Sequence, residues 1–182
     1  QYPSVSPEDS AYIIMTSGST GVPKGVEVLH KSAWNTIDDI NSRCKISRED
    51  TALAVSALDF DLSVYDIFGI LGAGGRLVLL PEEEKKNAAY WLKQIRKYHV
   101  SVWNSVPVLL DMLFVAAESA EERLPLRVVM LSGDWIGLDL PERADALIRE
   151  QITEDNDYGW NKYGDIRRCN IILEKVAAAT TF

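Results

Sequence analysis

Residues 51–80 read TALAVSALDFDLSVYDIFGILGAGGRLVLL, and this stretch decides the predicted fold. A short apolar run at 51–56 is typical of a buried strand, and residues 62–71 have the apolar content of a buried helix. A Gly-Gly pair interrupts the chain before a second apolar run at 76–80, which reads as another strand. A strand, a helix and a strand in this order are typical of a crossover between parallel strands.

The same alternation extends in both directions from this unit. Strands are predicted at 11–16, where the apolar run reads as a buried strand, and at 25–29, 51–56, 76–80, 100–103 and 127–131. Helices are predicted at 31–43, 62–71, 88–98, 108–117 and 141–149. The fold class is therefore α/β, with a mostly parallel sheet and helices on both of its faces. Because ligands of such sheets bind beyond the carboxyl ends of the strands, the candidate site loops are 16–25, 56–63, 104–107 and 132–136.

Composition and charge exclude several classes of protein. The 182 residues are 47% apolar and carry a net charge of −8, from 27 acidic and 19 basic residues. This composition is that of a folded globular domain, and the acidic balance opposes sequence-independent binding to nucleic acid. Cys44 and Cys169 are too few for a disulfide framework or a zinc site. With no apolar run of ~20 residues and no secretory leader, we expect a cytoplasmic protein without a membrane partner.

The alternation of strands and helices stops near residue 150. We therefore expect one domain over residues 1–150 and a separate tail over 151–182. Within this tail, residues 165–176 (DIRRCNIILEKV) have the spacing of an amphipathic helix.

The loop at 16–25 (TSGSTGVPKG) combines four hydroxyl side chains, three glycines and one lysine directly after a predicted strand. Glycine lets backbone N–H groups turn toward an anion, and a lysine adds a point charge suited to phosphate. The loop lacks the Walker order of residues, because the residue after Lys24 is a glycine. The predicted phosphate-binding residues are Thr16, Ser17, Gly18, Ser19, Thr20, Gly21, Lys24 and Gly25.

This loop resembles the signature loop of the adenylate-forming enzymes, which include acyl-CoA synthetases and the adenylation domains of nonribosomal peptide synthetases. The resemblance extends over residues 10–148. It implies that the loop holds the β- and γ-phosphates of ATP and that Lys24 is a catalytic residue. The cofactors that it implies are ATP and Mg²⁺, while no residue of this chain is predicted to bind a metal.

Residues 60–63 (FDLS) resemble the FDxS motif of peptide-synthetase adenylation domains. The resemblance implies that Asp61 pairs with the α-ammonium group of an amino acid. From the residues alone, Asp61 or Ser63 could instead cap the following helix.

The resemblance also implies the first part of a pocket for the amino-acid side chain. Its predicted residues are Asp61, Leu62, Tyr65, Asn104, Met130 and Ser132. Their order resembles cysteine-activating domains, and the segments around them resemble domains that serve thiazoline-forming siderophore synthetases. A pocket narrowed by an aromatic and a thioether side chain, with an amide and a hydroxyl, suits a small polar side chain such as that of L-cysteine. Ordinary packing at strand ends is the alternative interpretation.

An intact member of this family forms an aminoacyl adenylate from an amino acid and MgATP and loads the acyl group onto a carrier-protein thiol at the end of a phosphopantetheine arm. The implied partners are thus the amino acid and the carrier protein. Residues 156–162 begin like the family's N-x-Y-G-P-T-E segment but lack its Thr and Glu. The ribose-binding aspartate and the C-terminal lysine of the family are also missing, so we expect the chain alone to be inactive.

The tail supplies the alternative function. Residues 163–176 resemble a helix of SusD-like glycan-binding proteins. A fusion, or a non-enzymatic fragment that carries a glycan-binding segment, is therefore the second hypothesis.

Overall fold

The computed structural model describes residues 4–16, 24–137, 140–148 and 171–174 of the chain. Two sheets are present in these residues. The smaller is an antiparallel hairpin of β1 (Ser10–Thr16) and β2 (Lys24–Leu29). The strands of the larger are β3 (Thr51–Ala54), β4 (Arg76–Leu79), β5 (Val102–Ser105), β6 (Val128–Leu131) and β7 (Ile171–Glu174), in the spatial order β4-β3-β5-β6-β7.

Four strands of the larger sheet, β3 to β6, run parallel, as the alternating sequence predicts. The helices are α1 (His30–Arg43), α2 (Leu62–Val64), a π-helical turn π1 (Tyr65–Gly69), α3 (Ile70–Gly72), α4 (Ala88–Tyr98), α5 (Pro107–Ser119) and α6 (Leu140–Leu147). The pieces α2, π1 and α3 follow one another without a gap and fill the helix predicted at 62–71. The predicted α/β fold class is confirmed.

Side chains alternate across the larger sheet and build a core on each face. Trp103, Val129 and Leu131 belong to the core beneath α4, α5 and α6, whereas Val102 and Met130 belong to the core that α1 and π1 cover. The indole rings of Trp91 and Trp103 pack with their centroids 5.9 Å apart. Both indole N–H groups have partners, at 2.9 Å for Trp91 and 2.7 Å for Trp103, which satisfies their polar ends inside the core.

Two sequence-based expectations are wrong. The predicted buried strand β1 exposes Ile13 (61%) and Met15 (63%), because within the described residues it pairs only with β2 and one side of the hairpin stays uncovered. The amphipathic helix predicted at 165–176 is wrong for Ile171–Glu174, which form β7 antiparallel to β6. A short apolar run fits either element, and the edge of β6 supplies hydrogen-bond partners for a strand. The rest of the predicted tail lies outside the described residues.

Candidate functional site

The hairpin brings the two ends of the predicted phosphate loop together. Thr16, the last residue of β1, pairs with Lys24, the first residue of β2, and Met15 pairs with Gly25. The strand register therefore closes the loop at its base. Ser17, Gly18, Ser19, Thr20 and Gly21, which are predicted to bind phosphate, lie outside the described residues, so their role stays a prediction.

The loops that follow β3, β5 and β6 meet at the carboxyl edge of the parallel sheet. Gly133 has a left-handed backbone (φ 85°), and a Cβ added there would stand 3.1 Å from Phe60 Cζ and 3.3 Å from Val106 Cγ1. The backbone N–H of Ser132 donates to the carbonyl of Ser105 at 3.3 Å, which continues the β5–β6 pairing into this edge. A larger side chain at residue 133 would clash with Phe60 and Val106 where the loops meet, so this position favours glycine.

Asp61 lies exposed at the start of the helical segment, in a backbone conformation that is already helical, and its side chain makes no capping hydrogen bond. Ser63 instead closes the turn, because its hydroxyl donates to the carbonyls of Phe60 (2.8 Å) and Leu58 (3.3 Å). The Asp61 carboxylate is therefore not used as a helix cap.

Tyr12 of β1, which was not selected from the sequence, is affected by the charge of Asp61. The pKa of Tyr12 is raised, first by burial and then by the negative charge of Asp61. The charge of the carboxylate predicted to bind the amino acid thus acts on the hairpin that carries the predicted phosphate loop. The only sequence signal for Tyr12 is its position on the strand that leads into this loop.

Tyr65 is buried, and its side chain is fixed by a hydrogen bond and by packing in the core. Its hydroxyl donates to Asn41 Oδ1 at 2.8 Å, and Asn41 Nδ2 donates to the Gly69 carbonyl at 2.9 Å. Burial, together with the nearby negative charges, raises the pKa of the Tyr65 hydroxyl, so it stays protonated at neutral pH. Its hydroxyl ties π1 to α1, and its ring packs in the same core cluster as Met130.

Asn104, on β5, is 4% exposed and is tied to the helical segment by its side-chain amide. Asn104 Nδ2 donates to the Leu62 carbonyl at 3.1 Å and to Asp66 Oδ1 at 2.8 Å. Met130 is paired with Asn104 in the strand register and is 6% exposed, whereas Ser132, two residues further on, is half-buried. The predicted pocket residues therefore gather at one edge of the sheet, on the side covered by the helical segment.

Asp66 is the residue of this region that sequence reasoning missed. It is 2% exposed, its Oδ2 atom has no partner within the described chain, and its Oδ1 atom accepts a hydrogen bond from Asn104. Burial raises the pKa of Asp66 to about 7, against the lowering effect of the hydrogen bond from Asn104. The signal that could have identified it is a carboxylate one residue after Tyr65, on the apolar side of a predicted helix.

No group of three or more His, Cys, Asp or Glu side chains in the described part of the chain could hold a metal ion. None of the described helices has the length and apolar character needed to cross a membrane.

Comparisons with known proteins show the family to which the chain belongs. A model of the AMP-binding enzyme family matches residues 1–159. The chain is 55% identical over 141 residues to an anguibactin system regulator of Vibrio anguillarum, which covers 76% of the chain and 14% of that protein. It is 54% identical over 139 residues to the pyochelin synthetase PchE of Pseudomonas aeruginosa, which covers 76% of the chain and 10% of that protein. The chain thus spans a small part of the relatives that it matches.

Solved structures show the same likeness. The nonribosomal peptide synthetase FmoA3 superposes with a TM-score of 0.75 at 42% identity, covering 82% of the chain and 16% of FmoA3. Its form bound to α-methyl-L-serine-AMP superposes with a TM-score of 0.72 at 44% identity, covering 78% of the chain and 16% of FmoA3. A form with bound AMPPNP matches with a TM-score of 0.73 at 43% identity, over 80% of the chain and 15% of FmoA3.

Proposed function

Because the chain belongs to the AMP-binding enzyme family, and within it matches part of a nonribosomal peptide synthetase adenylation domain, we propose that the complete protein activates an amino acid with ATP. An oxygen of the amino-acid carboxylate attacks the α-phosphorus of ATP. The bond from this phosphorus to the bridging oxygen of the β-phosphate breaks, and the products are an aminoacyl adenylate and pyrophosphate. The phosphopantetheine thiol of a carrier protein then attacks the acyl carbon, loses its proton, and forms a thioester as the bond from this carbon to the phosphate oxygen breaks and AMP leaves.

One observation carries this proposal: the loops that follow β3, β5 and β6 meet at the carboxyl edge of the parallel sheet, where Phe60 and Val106 lie beside Gly133, and the predicted pocket residues gather there. Ligands of open α/β sheets bind at this edge, which supports a site there for the amino acid, and the hairpin closes the base of the loop proposed to hold the triphosphate. Lys24 and the hydroxyl-rich loop would stabilise the charge of the leaving pyrophosphate. The exposed Asp61 carboxylate, which caps no helix, would pair with the α-ammonium group.

The proposed substrate is L-cysteine. Asn104 and Ser132 would supply polar groups, and Leu62, Tyr65 and Met130 would limit the size of the substrate side chain. Since the Tyr65 hydroxyl is engaged by Asn41, Tyr65 would contribute its ring alone.

Amino-acid-dependent exchange between ATP and pyrophosphate tests the proposal. Residues 10–148 replace the matching segment of the anguibactin relative, and all twenty amino acids are assayed with the chimera. We expect L-cysteine to be preferred, with serine and alanine weaker by about 10- to 200-fold in kcat/KM. A preference for a bulky apolar or a charged amino acid would contradict the pocket assignment. The 182-residue chain alone should show no exchange above that of its Lys24→Ala variant.

Asp61 is tested in the same chimera. Asp61→Ala should raise the KM for the amino acid by about 10- to 100-fold, the size of a charge-assisted hydrogen bond, and leave the KM for ATP unchanged. Asp59→Ala is the matched control, since Asp59 is an exposed carboxylate two residues away. Equal KM values in both variants would show that Asp61 does not contact the amino acid.

A further inference from the structure

We propose that Asp66 is a positioning residue that fixes the side-chain amide of Asn104, so that the Asn104 Oδ1 atom is the group offered to the side chain of the substrate. The inference rests on the proposed function and deepens it. The substrate class that it assigns is an amino acid whose short side chain ends in a hydrogen-bond donor, a thiol or a hydroxyl. Asp66 itself is not among the pocket residues predicted from the sequence.

The orientation of the Asn104 amide follows from its partners. The Leu62 backbone carbonyl, 3.1 Å away, can only accept a hydrogen bond, so the nitrogen of the amide must face it. Asp66 Oδ1 accepts from the same nitrogen at 2.8 Å. Two acceptors thus occupy the Nδ2 end of Asn104 and direct it toward the helical segment.

The oxygen at the opposite end of the amide, Asn104 Oδ1, can accept a hydrogen bond from a ligand. Within the described part of the chain, Asn104 Oδ1 receives no hydrogen bond, and it is not one of the fully buried polar atoms without a partner. It therefore keeps access to solvent although the residue is 4% exposed. A carbonyl oxygen in this position can accept a hydrogen bond from a donor on a ligand, but it forms no hydrogen bond with a methyl group.

Asp66 is poorly explained as a packing residue. It is 2% exposed, yet its Oδ2 atom has no partner among the described residues. An apolar side chain of similar shape would avoid the cost of burying this oxygen. What the carboxyl group supplies, and an apolar residue could not, is the second acceptor for Asn104.

The hydrogen bond does not require one protonation state of Asp66. Its pKa is raised by burial to about 7, so both forms are present near neutral pH. An oxygen of either the carboxylate or the neutral acid can accept from Asn104 Nδ2. The amide is therefore held in the same orientation in both forms.

The experiment compares substrates that differ in the donor alone. In the chimera carrying residues 10–148, kcat/KM is measured for L-cysteine, L-serine and L-2-aminobutyrate, which has a methyl group where cysteine has its thiol. Asp66→Leu keeps the approximate shape and removes the acceptor, and Asp66→Ala does so with a smaller side chain. Asp66→Asn retains an oxygen that can accept from Asn104.

We expect Asp66→Leu and Asp66→Ala to lower the preference for cysteine and serine over 2-aminobutyrate at least tenfold, with the KM for ATP unchanged. Asp66→Asn should retain the preference within about threefold, the rescue that a positioning role requires. The matched control is Asp50→Asn, a buried aspartate bound to Arg127, which should alter stability and leave the preference unchanged.

Three results would overturn the inference. An unchanged preference in Asp66→Leu and Asp66→Ala would show that Asp66 does not orient Asn104. An equal loss for all three amino acids in every Asp66 variant would show a structural role only. If the unsubstituted chimera, folded and binding ATP, activated no amino acid, the proposed function would fail, and this inference with it.

Discussion

Two buried aspartates show how differently the same side chain is used. Asp50 accepts from Arg127 Nε at 2.8 Å and from Arg127 Nη2 at 2.6 Å, and it also binds the Ser101 hydroxyl and the Ser47 backbone N–H. Burial raises the pKa of Asp50, but these hydrogen bonds and the charge of Arg127 outweigh it and lower the pKa overall. Among the described residues, the Asp66 side chain accepts a hydrogen bond from Asn104 alone, and its pKa stays raised.

The Asp50–Arg127 pair is expected to stabilise the fold. Arg127 also donates to the carbonyls of Cys44 (2.8 Å) and Lys45 (3.1 Å), which links β6 to the end of α1. Asp50→Ala leaves the guanidinium without its carboxylate and should lower the free energy of unfolding by about 3 kcal/mol in urea titration. The exposed Asp39–Arg43 pair is the control, since Asp39→Ala should cost about 0.5 kcal/mol or less. Equal effects would show that the Asp50 network adds no stability.

The two aspartates predict opposite effects of pH on stability. The pKa of Asp50 is lower in the folded chain than its unfolded value of about 4. Its contribution to the free energy of unfolding is therefore complete above about pH 4 and is lost as the pH falls through the pKa of the folded state. The folded pKa of Asp66 is raised to about 7, so stability falls as the pH rises from about 4 to about 7 and is then constant.

Urea titrations at pH 3, 5 and 8 with the two Asn variants separate these effects. The free energy of unfolding should decline less between pH 5 and pH 8 in Asp66→Asn than in the parent chain. Between pH 5 and pH 3 it should decline less in Asp50→Asn than in the parent chain. A decline between pH 5 and pH 8 that is the same in the parent chain and in Asp66→Asn would contradict the raised pKa.

At the level of elements, the π-helical turn explains a glycine requirement. A Cβ added at Gly69 would stand 2.6 Å from Tyr65 Cε2 and 2.7 Å from Cδ2. The Tyr65 ring cannot easily move away, because its hydroxyl is bound to Asn41 and its neighbours are buried. The turn and the tyrosine therefore depend on each other.

Gly69→Ala should destabilise the chain by about 1–3 kcal/mol, the usual cost of overpacking a core. Gly72→Ala is the matched control three residues further on, where an added Cβ meets nothing within 4 Å. There the better helix propensity of alanine should leave stability unchanged or raise it by up to about 1 kcal/mol. Thermal unfolding of both variants measures the difference, and a neutral Gly69→Ala would mean that Tyr65 relaxes without cost.

The strands and helices of the parallel sheet were predictable, because apolar runs and breaks mark them; the helix at Ala88–Tyr98 has the predicted bounds. The pairing of β7 with β6 was not predictable, because a short run such as Ile171–Glu174 fits a helix or a strand. It forms a strand because the edge of β6 offers backbone hydrogen-bond partners. Asp66 had a local signal, because it is a carboxylate on the apolar side of a predicted helix. Its role could not be predicted, because it depends on a hydrogen bond to Asn104 across 38 positions of sequence.

At the scale of the whole molecule, the hairpin leaves apolar surface uncovered. Ile13 and Met15 alternate along β1 and share a face with Gly25, whose added Cβ would lie 3.1 Å from Ile13 Cγ2 and 3.6 Å from Met15 Sδ. Large exposed apolar patches promote association of proteins. We therefore expect the 182-residue chain to self-associate in solution through the exposed side chains of Ile13 and Met15.

Replacing both Ile13 and Met15 by threonine should reduce self-association of the chain. Threonine is β-branched, which suits a strand, and its hydroxyl makes the exposed face more polar. We expect the double variant to sediment closer to the monomer mass and to bind less of an apolar dye at equal concentration. Val115→Thr is the control, because Val115 is 52% exposed but lies on α5, away from the hairpin. If that control lowered association as much as the hairpin variant, association would reflect general apolar exposure and not this face.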